Sequence, residues 1–358
     1  MKIGINILPL KTGHKLRGIG YYTTNLLNYL KKEPDIEILE FTKLSEIKDV
    51  DLIHYPWFDF YFHTLPIKKK FKRVITIHDT IPLIFPLHYP VGIKGRINFL
   101  LQRMALRNTD HIISDSKVSK EDVVKYLNVS DNKITSIPLA PEEGFMPILN
   151  DTKLLQTKRK YKLPNKFLLY VGDVNWTKNL PFLIKGFSIL RQNPKLSDLG
   201  LVLVGDAFLK NVDYIDHPEL ESLRMVNKLI RELNLANQVI RPGNLKKEEL
   251  INFYNLATVY IQPSIYEGFG LPVLEAFACG TPVICSNGGS LSEVGGEAAI
   301  YFEPENLGKF TKISEEVLLN KSLQKKLSDL ALTQVLNFSW KRVIYQTKKV
   351  YTQVIKNE

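Results

Sequence analysis

Apolar segments of strand length alternate with amphipathic helical segments along almost the whole chain. Strands are predicted at residues 3–8, 36–41, 52–54, 74–78, 111–114 and 134–138, and then at 167–172, 201–205, 239–242, 259–262 and 282–285. This alternation is typical of α/β proteins, in which helices cover both faces of a parallel sheet. We therefore predict two Rossmann-like, doubly wound sheets in succession.

The chain has 358 residues, which is longer than one hydrophobic core usually organises. A polar stretch without clear periodicity, at about 141–165, is the expected boundary. We predict a first domain at 1–155, a second at 156–340 and a C-terminal helix at 341–358. The tail is mostly helical in pattern, with Trp340 and Tyr345 as its expected apolar anchors.

The net charge of +11 is partly concentrated in the first half. Between residues 60 and 108, one aspartate opposes nine basic residues, which include Lys68, Lys69, Lys70, Lys72 and Arg73. Such an excess fits an anionic membrane surface, and a solvated basic face without a partner is the alternative. No zinc-finger, RNA-recognition or helix-turn-helix pattern accompanies the charge, so nucleic acid is not the expected partner.

No run of about 18 apolar residues is present, and Asn6 and Pro9 interrupt the start of the chain too early for a signal peptide. Cys279 and Cys285 are the only cysteines, and we expect them to be small buried side chains in a reducing compartment. The expected location is the cytoplasm, with peripheral contact at the inner face of the membrane as a hypothesis.

The strongest candidate for chemistry is a glycine-containing loop before a predicted helix in the second half. Gly268 and Gly270 flank Phe269, which lets the backbone bend and lie close to a ligand. The free N–H groups of the helix start favour an anion such as phosphate. Glu267 and Glu275 could accept hydrogen bonds from hydroxyl groups. A helix N-terminus for phosphate and two carboxylates for hydroxyls are what a sugar nucleotide requires, whereas a helix cap and a solvated glutamate are the alternative.

This stretch resembles the Glu-x₇-Glu signature of retaining glycosyltransferases of family 4, and the matching residues are Ser264-x-x-Glu267-Gly268-Phe269-Gly270-Leu271-Pro272-x-x-Glu275-Ala276. The resemblance implies the two-domain GT-B fold, in which the last helix commonly crosses back to the first domain. It further implies that Glu267 contacts hydroxyls of the donor sugar and that Glu275 contacts the ribose. Gly268, Phe269, Gly270 and Leu271 would belong to the same donor-binding loop.

Two glycines, Gly18 and Gly20, lie between the first predicted strand and the following helix. Glycines at this position let a phosphate approach the backbone, and a tight turn is the alternative. Together with their neighbours they resemble the N-terminal glycine loop of family 4, which implies contact with the donor phosphates. Lys15 and Arg17 are further candidates in this loop.

Lys178 lies at the predicted start of a helix, where a cation is unusual unless an anion is present. A solvated lysine is the alternative, and the resemblance implies a clamp on the donor diphosphate. Many family members carry an arginine directly after the preceding glycine, where this chain has Asp173. The second phosphate contact is therefore open between Lys178 alone, Arg17 and backbone groups. The resemblance also places Gly243 beside the nucleobase.

His78 and Asp79 follow a strongly apolar predicted strand, at the end of the strand where ligands bind in open α/β sheets. The imidazole could hydrogen-bond a sugar hydroxyl, with Asp79 orienting it. A pair that stabilises the turn into Pro82 is the alternative. The segment resembles the His-Asp segment of mannosyl- and related transferases of family 4, which implies the first role.

With this resemblance, the sequence predicts a retaining hexosyltransferase that moves a hexose from a nucleoside diphosphate sugar to a hydroxyl of a glycan or lipid-linked acceptor. No Asp-x-Asp motif lies near these segments, so we expect neither a metal nor a cofactor besides the donor. The resemblance favours GDP-mannose, and UDP-glucose, UDP-galactose and UDP-N-acetylglucosamine stay open. A GT-B epimerase and a non-catalytic sugar-nucleotide-binding protein are the competing hypotheses.

Overall fold

The structure is a computed structural model that describes residues 1–16, 18–149, 151–210, 212 and 220–356. Its strands are β1 (Lys2–Asn6), β2 (Glu37–Phe41), β3 (Leu52–Tyr55), β4 (Lys72–Ile77), β5 (His111–Ser114), β6 (Ile134–Ser136), β7 (Phe167–Val171), β8 (Gly200–Val204), β9 (Val239–Gly243), β10 (Val259–Gln262), β11 (Val283–Ser286) and β12 (Ala299–Phe302).

The α-helices lie between and after these strands. They are α1 (Gly18–Leu30), α2 (Ile81–Ile84), α3 (Ile93–Arg107), α4 (Lys117–Leu127), α5 (Asp151–Lys160), α6 (Leu180–Leu190), α7 (Glu221–Glu232), α8 (Lys247–Leu256), α9 (Leu271–Ala278), α10 (Leu291–Gly295), α11 (Leu307–Leu319), α12 (Lys321–Val335) and α13 (Trp340–Lys356).

The strands form two parallel six-stranded sheets, one in each of two compact units. The first sheet has the order β2-β1-β3-β4-β5-β6, and the second has the order β12-β11-β10-β7-β8-β9. The second order is that of dinucleotide-binding doubly wound sheets. The predicted α/β class with two Rossmann-like units is therefore confirmed.

The first compact unit comprises Met1–Ala140 together with Phe338–Glu358, and the second comprises Pro141–Asn337. In the first unit, the apolar core includes Ile53, Ile75 and Ile112 from adjacent strands, each almost completely buried. In the second unit, the core is built likewise from strand residues and from the inner faces of the helices. The strands carry near-continuous apolar runs because helices cover both faces of a parallel sheet.

Helix α13 belongs to the first unit and packs on its α1, β3 and β4. Trp340 is 3% exposed, and its ring stacks on that of Tyr29 at 5.7 Å between centroids. Tyr351 is fully buried, and its hydroxyl lies 2.6 Å from Nδ1 of His54. Tyr345 was a predicted anchor, and this prediction is wrong because its side chain points outward and is 60% exposed.

The stretch 141–165 was predicted to be irregular, and instead it contains helix α5. Polar contacts join this helix to α8. Asn252 Nδ2 donates to Thr157 Oγ1 at 2.8 Å, and Lys160 Nζ lies 2.6 Å from Glu249 Oε1. Hydrophobic periodicity could not detect a helix that is packed in this way.

The basic stretch predicted to face an anionic membrane is only partly available to a partner. Arg73 is fully buried on β4, which contradicts its assignment to such a surface. Lys69 is paired with Asp110 at 2.7 Å, and Lys72 Nζ donates to the carbonyl oxygen of Ile355 at 2.8 Å. Lys68 and Lys70 are exposed. Strand alternation places part of a basic run inward, and charge counting along the sequence cannot show this.

None of the helices in the described parts of the chain combines the length and apolar character needed to cross a bilayer. Cys279 and Cys285 are both buried and carry free thiols, which agrees with the prediction that they act as small apolar side chains.

Candidate functional site

Strand order in the second sheet reverses between β7 and β10, which are neighbours in the sheet. In open parallel sheets, ligands bind beyond the carboxyl ends of the strands at such a reversal. Lys178 follows β7 in the chain and Glu267 follows β10. The fold thus brings two of the predicted site residues together at the position where this class of sheet binds its ligand.

Lys178 ends a single 3₁₀ turn, Trp176–Lys178, directly before α6. Its Nζ lies 2.6 Å from Glu267 Oε1. The next residue, Asn179, has a left-handed backbone with φ of 53°. The Asn179 amide donates to the carbonyl oxygens of Pro263 and Pro304 at 3.2 and 2.8 Å. These bonds fix the turn against the loops that follow β10 and β12, so the ammonium group is held beside Glu267.

Glu267 is 7% exposed, and its Oε1 also accepts hydrogen bonds from Gln262 Nε2 at 2.7 Å and Ser264 Oγ at 2.6 Å. The hydroxyl of Tyr260 donates to Gln262 Oε1, which orients the amide so that Nε2 faces Glu267. The carboxylate is therefore positioned by a polar chain that begins in the core. Charged groups tolerate burial when they are paired and hydrogen-bonded in this way.

Tyr260 and Gln262 were not predicted as functional residues. They lie two positions apart on β10 and are both buried. Alternate residues of a strand share one face, so a tyrosine and a glutamine at this spacing can contact each other. A glutamine at the end of an otherwise apolar buried strand was the signal in the sequence.

Glu275 lies one turn inside α9, as predicted, and its carboxylate accepts a hydrogen bond from Tyr254 Oη at 2.8 Å. Burial raises the pKa of the Glu275 carboxyl to about 7, against the effect of the Tyr254 hydrogen bond. Tyr254 is itself fully buried on α8. A half-buried carboxylate with one hydroxyl donor retains capacity to accept hydrogen bonds from a ligand's hydroxyl groups.

Gly268, Phe269 and Gly270 form the loop before α9, and Leu271 is the first residue of the helix. Gly270 has φ of 105°, a left-handed conformation that favours glycine. No side chain caps α9. The predicted loop and helix start are therefore present, and anion binding at this position stays a prediction.

A second glycine loop, before α10, packs directly against the backbone of Glu267. A Cβ atom on Gly289 would lie 2.3 Å from the Glu267 carbonyl oxygen, and Gly289 has φ of 63°. Ser290 Oγ donates to the carbonyl oxygens of Glu267 and Phe269 at 3.0 and 2.9 Å. The sequence favoured a simple turn with a capping box for this segment, whereas the structure shows it holding the loop that carries Glu267.

Replacing Gly289 with alanine is expected to destabilise the protein by about 2–3 kcal/mol, because the new methyl group meets backbone atoms and the left-handed φ is strained. Urea unfolding measures this free energy. Gly308→Ala is the matched control, since its Cβ would meet nothing closer than 3.9 Å. Equal stability of the two variants would contradict the close packing at Gly289.

Gly243 is the last residue of β9 and is buried, with φ of 78°. A Cβ atom there would lie 2.5 Å from Leu209 Cδ1. Asp173, the departure from the family pattern, accepts a hydrogen bond from the N–H of Val174 at 2.9 Å. Because position 173 holds an aspartate and not the arginine of many family members, it provides no second positive charge for a phosphate.

In the first unit, Gly18 and Gly20 lie in the first turn of α1 and not in the loop before it. Gly18 is exposed, and a Cβ atom added to it would meet nothing within 4 Å. Arg17, one of the candidates for the second phosphate contact, lies outside the described residues.

His78 directly follows β4, and its partner is Asp115 rather than Asp79. His78 Nδ1 lies 2.6 Å from Asp115 Oδ2, and Nε2 lies 3.0 Å from the carbonyl oxygen of Pro56. Asp79 Oδ1 accepts a hydrogen bond from the N–H of Ile81, at the start of α2. The predicted orientation of His78 by Asp79 is therefore wrong, because the Asp79 carboxylate holds the turn.

Both ring nitrogens of His78 face hydrogen-bond acceptors, so the arrangement favours the imidazolium form, in which both nitrogens carry a proton. Burial lowers the pKa of His78, but the adjacent Asp115 carboxylate outweighs it, and the net effect is a raised pKa. Asp115 is 3% exposed, and burial raises its pKa against the opposing effect of the His78 charge. We infer that His78 is an imidazolium paired with a buried carboxylate.

Behind His78, a buried polar chain reaches α13. The ring of Tyr22 lies edge-on to that of His78 at 4.9 Å, and the Tyr22 hydroxyl is 3.0 Å from Thr76 Oγ1. Thr76 Oγ1 is 2.9 Å from His54 Nε2, whose other ring nitrogen contacts Tyr351. Burial lowers the pKa of His54 to about 3, so this second histidine is neutral. The sequence indicated no role for His54.

Within the described residues, no three or more His, Cys, Asp or Glu side chains lie together in a way that could hold a metal ion.

Two protein-family models match this chain. Residues 152–333, just over half of the sequence, match the glycosyl transferases group 1 model, and residues 22–140 match the model of glycosyltransferase family 4. The chain belongs to the glycosyl transferases group 1 family, and the resemblance drawn from the Glu267–Glu275 motif is confirmed.

Curated relatives include the serotype-specific mannosyltransferase WbdA of Escherichia coli, which is 29% identical over 80% of this chain and 34% of its own length. The O-antigen chain mannosyltransferase B of Escherichia coli is 27% identical over 78% of this chain and 70% of its own length. The chain thus spans about a third of the length of WbdA.

Solved structures show the same fold. Anabaena HepE, crystallised with UDP and glucose, superposes with a TM-score of 0.75 at 15% identity, over 99% of this chain and 100% of HepE. A glycosyltransferase from Rickettsia africae has a TM-score of 0.70 at 21% identity, over 100% of this chain and 99% of its own. At these identities the likeness concerns the fold alone.

Proposed function

We propose that the protein is a retaining hexosyltransferase that transfers a sugar from a nucleoside diphosphate sugar to a hydroxyl of a glycan or lipid-linked acceptor, with GDP-mannose as the favoured donor. The observation that carries this proposal is the Lys178–Glu267 pair, 2.6 Å apart, at the strand-order reversal of the second sheet. The family membership and the mannosyltransferase relatives support it.

In this proposal, the diphosphate lies at the start of α9 and beside Lys178. The helix N-terminus and the ammonium group would stabilise the negative charge that grows on the departing diphosphate. The three hydrogen bonds described for the Glu267 carboxylate all end on Oε1. We assign the contact with the donor sugar hydroxyls to its other oxygen, Oε2.

The ribose hydroxyls would be bound by Glu275. Ionising the Glu275 carboxyl costs free energy when no ligand is bound, because burial disfavours the charged form and raises its pKa to about 7. Hydroxyl donors from a ribose would satisfy the carboxylate and remove part of this cost. Donor binding should therefore be measured at about pH 8, where the carboxyl is mostly ionised.

For transfer with retention, we propose attack on the same face of the donor from which the diphosphate leaves. The bond from the anomeric carbon to the phosphate oxygen breaks, and a bond to the acceptor oxygen forms. The acceptor proton passes to the departing phosphate oxygen. The chain's own residues hold the diphosphate and orient the sugar, and none is assigned as a covalent nucleophile.

Thermal unfolding in the presence of GDP, UDP and ADP, with and without magnesium, tests the proposal. A ligand that binds the folded state stabilises it by RT ln(1 + [L]/Kd), so the nucleotide that binds raises Tm. We expect GDP to give the largest rise without magnesium, and Glu275→Gln to weaken binding about tenfold or more through loss of a charged hydrogen bond.

Glu297→Gln, which replaces an exposed glutamate in the same unit, is the matched control and should respond like the natural protein. A rise in Tm with UDP alone would leave the proposed reaction in place and assign a UDP-sugar as the donor. Failure of all three nucleotides to raise Tm would contradict the proposed function.

A further inference from the structure

Segment 142–148, near the beginning of the second unit, lies along α8 of the same unit. Asn255, near the end of α8, accepts a hydrogen bond at Oδ1 from the N–H of Ile148 at 2.7 Å. Phe145 is 9% exposed, and its ring lies edge-on to that of Tyr254 at 5.9 Å between centroids. These contacts fix the segment on the helix.

Glu142 begins this segment and contacts the first residue of α8. Its Oε1 lies 2.8 Å from Lys247 Nζ. Gly144 has φ of 102°, and a Cβ atom there would lie 3.5 Å from Lys247 Cε. The Glu142 and Lys247 side chains are 38% and 35% exposed, so both are accessible to a ligand. Because Phe145 and Asn255 already fix the segment, and because exposed ion pairs add little stability, holding the segment does not explain the pair.

The beginning of α8 lies at the ligand-binding edge of the second sheet. α8 follows β9, and the loop with Glu267 follows β10. The strands are parallel, so both strand ends lie at the same edge. β9 lies two strands beyond β7, the strand that precedes Lys178, which is a separation of about 10 Å. Lys247 is therefore at this edge but away from the assigned diphosphate contact.

The Glu142 carboxylate lies near that of Glu275. Burial is the main cause of the raised pKa of Glu275, and the negative charge of Glu142 raises it further. Tyr254 links the two positions, since its hydroxyl donates to Glu275 Oε2 at 2.8 Å and its ring packs on Phe145. Two like charges placed near each other repel in the free protein. Such an arrangement is typical of a site that a ligand with hydrogen-bond donors completes.

The assigned positions of the diphosphate and the ribose indicate where the base lies. The diphosphate is assigned to the start of α9, and the ribose to Glu275, the fifth residue of that helix and about 6 Å along it. The base and the diphosphate are attached to different carbons of the ribose, so the base extends beyond Glu275. Glu142 and Lys247 are the charged pair on the side away from Lys178.

We propose that Glu142 and Lys247 bind the nucleobase of the donor and select guanine. The assignment rests on the proposed function and names the residues that would decide its donor base. Guanine presents two adjacent N–H donors, at N1 and N2, beside the O6 acceptor. A carboxylate can accept both hydrogen bonds, and an ammonium group can donate to O6. Uracil has one N–H donor between two carbonyl oxygens, and adenine has an acceptor at N1, so either base would leave Glu142 with fewer hydrogen bonds.

Isothermal titration calorimetry with GDP and inosine diphosphate (IDP) at about pH 8 tests this assignment. IDP lacks only the amino group at C2 of guanine, so the ribose and diphosphate contacts are the same. We expect GDP to bind the natural chain about tenfold or more tightly than IDP, because IDP leaves a charged acceptor with one hydrogen bond fewer. Glu142→Ala should bring the ratio of the two affinities close to one. Lys247→Met should weaken both nucleotides alike, since both carry O6.

Glu249→Gln is the matched control. Glu249 lies on the same helix, and its Oε1 is 2.6 Å from Nζ of Lys160, the last residue of α5. This variant loses an ion pair of α8 but should keep the natural ratio of GDP affinity to IDP affinity. Glu275→Gln should weaken both nucleotides without changing the ratio, because the ribose is common to them.

Equal affinity of the natural chain for GDP and IDP would overturn the assignment, and so would a Glu142→Ala variant that still prefers GDP. Preference of the natural chain for UDP over GDP would also overturn it, while leaving the proposed transfer reaction in place. If GDP, UDP and ADP all fail to bind, the proposed function itself is contradicted and the guanine site is rejected with it.

Discussion

Replacing Lys178 with methionine is expected to lower kcat/KM for sugar transfer by roughly 10²–10³-fold, the usual cost of removing one preorganised charge from a developing anion. The ammonium group contacts Glu267 at 2.6 Å, and a methionine side chain of similar length cannot supply this contact or stabilise a diphosphate. Initial transfer rates with the donor identified by thermal unfolding measure the effect.

The ligand itself provides a control for Lys178→Met. Affinity for the nucleoside diphosphate should fall, whereas affinity for the nucleoside alone should change little, because the assigned contact is with phosphate. Lys185→Met, an exposed lysine on α6, is the matched variant. Unchanged binding of the diphosphate by Lys178→Met would contradict the assigned clamp.

Replacing Asp115 with asparagine is expected to destabilise the protein by about 3 kcal/mol near pH 6, because it leaves the buried His78 imidazolium without its carboxylate. The two side chains are 2.6 Å apart, and their side-chain exposures are 16% and 4%. Asp131→Asn is the matched control. Its ion pair with Lys120 leaves the Asp131 side chain 74% exposed, so we expect a change of about 0–1 kcal/mol.

The pH dependence of this difference has a definite sign. The folded-state pKa of His78 is raised above its unfolded value of about 6.5, so its stabilising effect is complete below that pH and is lost as pH rises through the folded pKa. The gap in unfolding free energy between the natural chain and Asp115→Asn should narrow from pH 6 toward pH 9. A gap that widens would show that His78 is neutral.

The features that the sequence predicted correctly are local in the chain. β7 was expected at 167–172 and is found at Phe167–Val171, because a continuous apolar run is typical of a strand buried on both faces. The loop with Gly268 and Gly270, and the helix α9 that carries Glu275, were recognised because turn, helix start and carboxylates all fall within a dozen residues.

The features that were missed depend on contacts between distant segments. Asp115 is 37 positions from His78, and only the pairing of β4 with β5 brings them together. Asp79 was the nearer carboxylate and was therefore assigned instead. Tyr345 and Tyr351 lie on different faces of α13, and the choice of the buried face depends on His54, which lies in a strand nearly 300 residues earlier.

The contact of Gly289 and Ser290 with the loop that carries Glu267 was missed for the same reason. Its glycines have the composition of any turn, and only the overlap of a Cβ atom with the Glu267 backbone distinguishes them. A single sequence shows where the chain can form a turn. Whether a turn position requires glycine depends on the atoms that pack against it from other segments.

The first compact unit is interrupted in the chain by the whole of the second, since it consists of Met1–Ala140 and Phe338–Glu358. A ribosome that adds roughly 5–20 residues per second needs about 10–40 s to synthesise the intervening segment. During this time α1 and β3 have emerged without Trp340 and Tyr351 to cover them. The second unit can therefore fold first during translation, and the first unit completes its core only when synthesis reaches α13.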